Sequence, residues 1–218
     1  MVMKIPLETI IPLLHKTIFG VLATQSTQLP GYPFASIMPF MADERHRPVF
    51  FVSRLAEHTK NLLADLRASF LVSSPDGKNV LTGARLTLVG DVMPIDATPD
   101  LVARYLRYQP DAKQYLDLGD FAFFRLMPQR ARYVAGFGEM GWVEKEEWAD
   151  GAFLPLADEA ILYRDLLAVL PKGIRLLGLD CYGVDIERQR KRERRQFPNG
   201  TAAVENFDEV TKRFLAAL

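Results

Sequence analysis

Between residues 18 and 53 the chain runs through three apolar stretches, IFGVLATQ, YPFASIMPFMA and RPVFFVS, separated only by the polar intervals STQLPG and DERHR. Each stretch is rich in β-branched or aromatic residues, which favour strands. Connections this short join antiparallel neighbours, because a parallel crossover needs a dozen residues or more. The pattern continues with RASFLVSS, a Pro-Asp-Gly turn in PDGKN, and the long stretch VLTGARLTLVGDVMPI, in which Ala84, Leu86, Leu88 and Gly90 alternate with Arg85, Thr87, Val89 and Asp91. FAFFRLMPQRARYVAGFG adds another strand. Many strands at this spacing with few helices between them predict a small antiparallel barrel.

Three helices interrupt the strands. Leu7, Ile10, Ile11, Leu14 and Ile18 are spaced by three and four residues, which predicts an amphipathic helix over 7–17. Residues 54–66 read as a second helix, and TPDLVARYLRY as a third, capped at Thr98 and stopped near Pro110 before a second short helical segment. After Gly141 the texture changes. WVEKEEWADGAF is acidic and loop-like, and beyond it come a helix, two strands and a helix ending in NFDEVTKRFLAAL. The expected organisation is α+β: a barrel over 1–147 and a small α+β domain over 148–218.

Composition narrows the partners. The 27 Lys and Arg balance the 27 Asp and Glu, so no global field draws in nucleic acid or an anionic membrane, and a small-molecule ligand fits better. The single cysteine, Cys181, makes no internal disulfide, and the opening residues lack the pattern of a signal peptide. The first apolar run is broken by His15 and Lys16, well short of the roughly 20 residues that span a bilayer. A cytoplasmic protein is expected.

One cluster carries candidate chemistry. In RPVFFVSRLAEHTKNLLADL a hydrophobic strand opens into Ser53, Arg54, His58, Thr59, Lys60 and Asn61. On a helix begun at Arg54, the side chains of Arg54, His58, Asn61 and Asp65 share one face and Leu55, Thr59, Leu62 and Leu66 the other. The leucines are expected in the core, with the donors beside the free amides of the helix start, where an anion such as phosphate is stabilised. The competing reading makes Ser53 an N-cap and the rest a solvated face.

The strings GVLATQSTQLPGYPFASIMPF, RPVFFVSRLAEHTKNLLADLRASFLV, ARLTLVGDV and DFAFFRLMPQRARYVAGFGEMGW, in this order over residues 8 to 145, resemble the pyridoxamine 5'-phosphate oxidase-like split-barrel family. In detail they resemble its haem-utilisation branch, whose members carry a second small α+β domain. The resemblance implies a six-stranded split barrel that forms a homodimer and binds FMN at the dimer interface. It implies flavin contacts at Ala35, Ser36 and Ile37, a phosphate held by Ser53, Arg54, His58, Thr59, Lys60 and Asn61, and a further polar contact from Arg85. On this basis the chain is expected to be an FMN-binding flavoprotein acting as a flavin-dependent oxidoreductase. Haem binding or degradation is the alternative, and a non-enzymatic flavin or tetrapyrrole carrier is the third reading. The chain lacks the Ser-Arg-Lys run and the C-terminal Arg-and-His segment of classical pyridoxamine phosphate oxidases. Haem-degrading relatives rely on a C-terminal histidine as axial ligand, whereas the three histidines here are His15, His46 and His58.

The remaining features read plainly. Cys181 is expected as a small core residue and not a metal ligand, ERQRKRERR over 187–195 as a solvated strand-and-turn face, and Gly136-Phe137-Gly138 as a turn. The aromatic strands PVFFV and FAFF exceed what one small barrel needs inside, and are expected at the dimer contact.

Overall fold

A computed structural model describes residues 4–74, 83–135, 139–197 and 211. In chain order its elements are α1 (Leu7–Lys16), β1 (Phe19–Gln25), β2 (Pro33–Pro39), β3 (Met41–Ala42), β4 (Pro48–Ser53), α2 (Glu57–Ala64), β5 (Arg67–Ser73), β6 (Arg85–Ile95), α3 (Pro99–Tyr108), a 3-10 turn (Pro110–Tyr115), β7 (Phe121–Val134), β8 (Met140–Glu144), α4 (Lys145–Ala149), α5 (Leu156–Leu166), a 3-10 turn (Leu167–Val169), β9 (Ile174–Asp180), β10 (Gly183–Arg188) and β11 (Lys191–Gln196). The first sheet runs β2-β1-β5-β6-β7-β4-β3 with β8 beside β7, and every pairing is antiparallel. Six long strands carry this sheet, and the short β3 and β8 extend it to eight. It is the curled antiparallel sheet of a split barrel, in an α+β chain. A second sheet, β11-β10-β9, follows.

Alternation decides what the first sheet buries. Leu22, Phe70, Leu86 and Leu88 point inward, where Phe70 meets Phe40 and Phe50 edge-on. β4 differs, because it is buried on both faces. Phe50 and Val52 join the main core, while Val49 and Phe51 face α3 and pack with Leu101, Tyr105 and Phe123. An unbroken apolar run is what such a strand requires. The aromatics of PVFFV and FAFF are therefore covered within the same chain, Phe50 and Phe124 in the main core and Phe51, Phe121 and Phe123 in the cluster with α3, which corrects their assignment to a dimer contact.

Thr98 caps α3 as expected, its side chain accepting from Leu101 N. The helix expected over 54–66 is shorter, spanning Glu57–Ala64, with Ala56 and not Ser53 at its N-cap. Its leucines divide: Leu62 is buried, whereas Leu55 and Leu66 are exposed. The acidic stretch after Gly141 is ordered where a loop was expected, since Glu144 and Glu147 form a capping box that starts α4 and Trp148 Nε1 donates to Arg45 O. The turn in PDGKN, Gly136-Phe137-Gly138 and all of the last helical stretch except Thr211 lie outside the described residues.

The basic run spans the end of β10, a turn with Gln189 and Arg190 at positive φ, and most of β11, the outer strand of that hairpin. Its alternation sends Arg194 into the interior, so only part of the run is a solvated face. A cleft of about 510 Å³ beside it is lined by Lys16, Ile18 and residues 190–195. Residues of the second sheet, including Leu176, Leu179, Val184 and Ile186, belong to the same core cluster as α1 and the inner barrel side chains.

Candidate functional site

β2 is an edge strand, and its register with β1 sets which side chains face outward. Ile37, Val21, Leu71 and Thr87 form one row across β2, β1, β5 and β6, and Ala35, Ala23, Ser69 and Val89 form the next. Ile37 is 71% exposed, and Leu71 and Val89 are also open to solvent. The result is an apolar patch on an outer sheet face, a surface on which a flat ligand or another protein surface can lie. Ser36 points the other way, with a buried Oγ that has no hydrogen-bond partner among the described residues.

α2 packs beside this edge because of Asn61. Its Oδ1 accepts from Thr27 N and Thr27 Oγ1, both at 2.9 Å, and its Nδ2 donates to Thr24 Oγ1 at 3.0 Å. Asn61 therefore fixes the loop between β1 and β2 with a filled set of partners. Ser53 Oγ donates to Asp120 Oδ2 at 2.6 Å and accepts from Leu55 N. Among the donors expected at a phosphate, Arg54 and Lys60 stand exposed and His58 is half-buried at the open start of α2. Among the described residues Thr59 Oγ1 is buried without a partner, and no side chain caps the helix. Burial pushes the His58 imidazole below its ordinary value. The fold thus brings Ala35, Ser36 and Ile37 close to the α2 group through Asn61. Arg85 is held apart on β6, three strand spacings from β2, about 14 Å at about 4.8 Å per strand.

A second polar centre lies in the interior, where sequence reasoning placed nothing. His15 sits on the buried face of α1, one turn beyond Ile11. His46 comes from the turn between β3 and β4. Asp43 builds that turn: its carboxylate accepts from Arg45 N and Arg47 N, its carbonyl accepts from His46 N, and His46 is held at φ 60°. The β9–β10 hairpin and β11 supply Asp180, Asp185 and Arg194. His15 Nδ1 lies 2.6 Å from Asp185 Oδ2, and His15 Nε2 lies 3.0 Å from His46 Nδ1. Arg194 donates to Asp180 Oδ1 at 2.6 Å and to Asp185 Oδ1 at 3.0 Å, and Tyr108 OH also donates to Asp185.

Burial pushes the His46 imidazole down to about 3, against the opposing pull of Asp180, so it is neutral at pH 7. Burial alone would raise Asp180 and Asp185, but Arg194 chiefly holds the first, and His15 with Arg194 the second, below the usual carboxylate range. Cys181 is buried nearby as expected, and burial pushes its thiol up to about 11, so it is no thiolate. A neighbouring pair extends the network: Arg104 of α3 donates to Glu159 of α5, which also accepts from Arg107 at 2.7 Å. The signal available in the sequence was the strand alternation of 191–196, which sends Arg194 inward. The two histidines carried none, since their acidic partners, Asp180 and Asp185, lie far along the chain and meet them only through the fold.

Comparison with known proteins agrees with this architecture. The chain is 37% identical over 162 residues to the chloroplastic heme oxygenase HOZ of Arabidopsis thaliana, a match covering 71% of this chain and 49% of that protein. The chain therefore spans about half the length of that relative. Among solved structures it is similar to a heme binding protein from Mycobacterium smegmatis, with TM-score 0.63, 26% identity and coverage of 100% and 98% of the two chains. A protein of unknown function from Agrobacterium tumefaciens shares the fold at TM-score 0.76 and 23% identity, over 98% and 96% of the two chains. The family model for the CREG β-barrel matches residues 12–150, most of the chain and every strand of the first sheet, and on that match the chain belongs to the CREG β-barrel family.

Proposed function

We propose that the chain is a haem-binding protein, with haem as ligand or as substrate, and that it works as a homodimer paired through the outer face of β2, β1, β5 and β6. The observation that carries this reading is the exposed apolar patch of Ile37, Val21, Leu71 and Val89. A second copy laid on it would shelter a planar macrocycle and bring the distant Arg85 of one chain toward the α2 cations of the other. Arg54, Lys60 and Arg85 are of the right charge for the two propionates. His58 is the histidine available for the iron, since His15 and His46 are buried in the internal network. Bound haem supplies oxygen and redox chemistry; the chain binds, orients and shields it from water. The names of the Arabidopsis and Mycobacterium proteins support the same direction. In this reading residues 1–147 form the cofactor-binding unit and 148–218 a second unit, of which Glu159 and Asp185 brace α3 and α1 through buried ion pairs.

FMN is the second reading, favoured by the uncapped start of α2 with Arg54, His58, Lys60 and the unpartnered Thr59 Oγ1. Ser53 and Asn61 are already committed to Asp120 and to the β1–β2 loop, so the phosphate roster contracts to the other four and the helix amides. Titrating haem and FMN separately into the purified chain distinguishes the two. A saturable Soret band lost in His58→Ala supports haem; fluorescence quenching with FMN but not with riboflavin moves the assignment to flavin. Binding of neither overturns both. Sedimentation that shows a dimer for wild type and a monomer for Ile37→Glu supports the interface, and a wild-type monomer of 24.7 kDa removes it.

A further inference from the structure

The interior contact between α1, the turn at 43–47 and the β9–β10 hairpin contains a carboxylate oxygen that no donor among the described residues reaches. Asp180 Oδ1 accepts from Arg194 and from Tyr182 N, while Oδ2 is buried without a hydrogen-bond partner. Oδ2 stands 3.7 Å from His15 Nε2 and 4.0 Å from His46 Nδ1, and those nitrogens are 3.0 Å apart. A circle through three atoms with separations 3.0, 3.7 and 4.0 Å has a radius of about 2.1 Å, which falls within the roughly 2.0–2.2 Å of zinc bonds to imidazole nitrogen and carboxylate oxygen.

We infer that His15, His46 and Asp180 form a binding site for a divalent transition-metal ion, with Zn²⁺ the best match to two nitrogens and one oxygen. Each donor is already oriented for that role. Asp185 accepts from His15 Nδ1, which turns Nε2 toward the ion in a carboxylate–histidine–metal arrangement. Arg194 and Tyr182 N hold Asp180 by Oδ1 and leave Oδ2 to coordinate. The turn around Asp43 fixes His46 at its unusual φ, aiming Nδ1 inward. Binding would displace the proton held between the two imidazoles. A site with two imidazoles disfavours Ca²⁺ and Mg²⁺, which take oxygen ligands. The site shares no residue with the outer sheet face, so it stands independently of the haem reading.

The test uses the full chain stripped by a chelator and titrated with Zn²⁺ alone against a chromophoric competitor. One Zn²⁺ per chain is expected, with a rise in Tm that saturates at one equivalent. Asp180→Asn and His46→Asn should each weaken binding by a hundredfold or more; asparagine tolerates positive φ, so the second variant retains the turn. Should both variants fail to fold, Co²⁺ on wild type decides, with visible bands of a site of two nitrogens and at least one oxygen expected. No stoichiometric Zn²⁺ uptake by wild type, uptake undiminished in folded His46→Asn, or a six-coordinate aquo-like Co²⁺ spectrum would overturn the assignment.

Discussion

Replacing Arg104 by methionine is the most informative perturbation of the frame that holds both sheets. The guanidinium is buried and donates to Glu159 Oε1, with longer contacts at 3.4 Å to Ala42 O on β3, Leu179 O on β9 and Tyr108 OH. Arg104→Met retains much of the length and removes all of these donors. Breaking one side of a buried ion pair costs about 3–5 kcal/mol. Here Glu159 keeps Arg107 at 2.7 Å, and the other contacts are long, so the lower end applies, about 3 kcal/mol. For a chain of this size about 2–4 °C accompany each kcal/mol, and Tm should fall by about 6–12 °C. Glu159→Leu strands two guanidiniums and should cost at least as much. The double variant Arg104→Met/Glu159→Leu should be less damaged than the two losses added together, with a coupling of about 1.5 kcal/mol or more. Urea and thermal unfolding followed by circular dichroism measure all four proteins. A single-variant loss under about 1 kcal/mol, or strict additivity, would refute the idea that this pair holds the sheets together.

Three further outcomes are expected. Asn61→Ala removes three hydrogen bonds that hold the β1–β2 loop and should cost about 2–3 kcal/mol while speeding proteolysis within 26–32; unchanged cleavage would count against the tether. Gly178→Ala would place a Cβ 2.7 Å from Arg104 Nη1, so a loss of about 2–3 kcal/mol is expected, and a variant as stable as wild type would contradict the packing. Burial lowers the His58 pKa in the folded state, so the unfolded chain takes up that proton first: stability is retained above the ordinary value of 6.5 and declines as pH falls toward the folded value. His58→Gln should therefore lose less stability than wild type between pH 7 and pH 5, and parallel pH profiles would remove His58 from that account.

The barrel was legible because its signals are local. Alternation in residues 84–91 and short polar turns are read within a few positions, and the Thr98 cap within four. α2 was misread because helical spacing was extended backward from Glu57 to Arg54, although residues 54–56 form the turn that delivers Ser53 to Asp120. The excess of aromatics in β4 and β7 was visible, but only the third dimension shows that the main core takes Phe50 and Phe124 while Phe51, Phe121 and Phe123 pack with α3. The candidate cofactor residues on β2 and α2 were found as a group, while the work done by Asn61 required Thr24 and Thr27 to be seen beside it. His15 and His46 were counted in the sequence and given no partners, since hydrogen-bonding neighbours that meet only through the fold leave no periodic trace.

The internal network joins residues from nearly opposite ends of the described chain: His15 meets Asp185 across 170 positions and Arg194 across 179. During synthesis the barrel strands leave the ribosome first, with the polar end of α1 lacking its acidic partners. Asp180 and Asp185 then emerge before the guanidinium that neutralises them. Burial of these charges must wait until residue 194 is free, so the last assembly step follows the emergence of β11 and closes a long stretch of chain. A stalled or truncated product ending before β11 would carry two carboxylates facing an apolar interior, a species suited to recognition by chaperones and proteases.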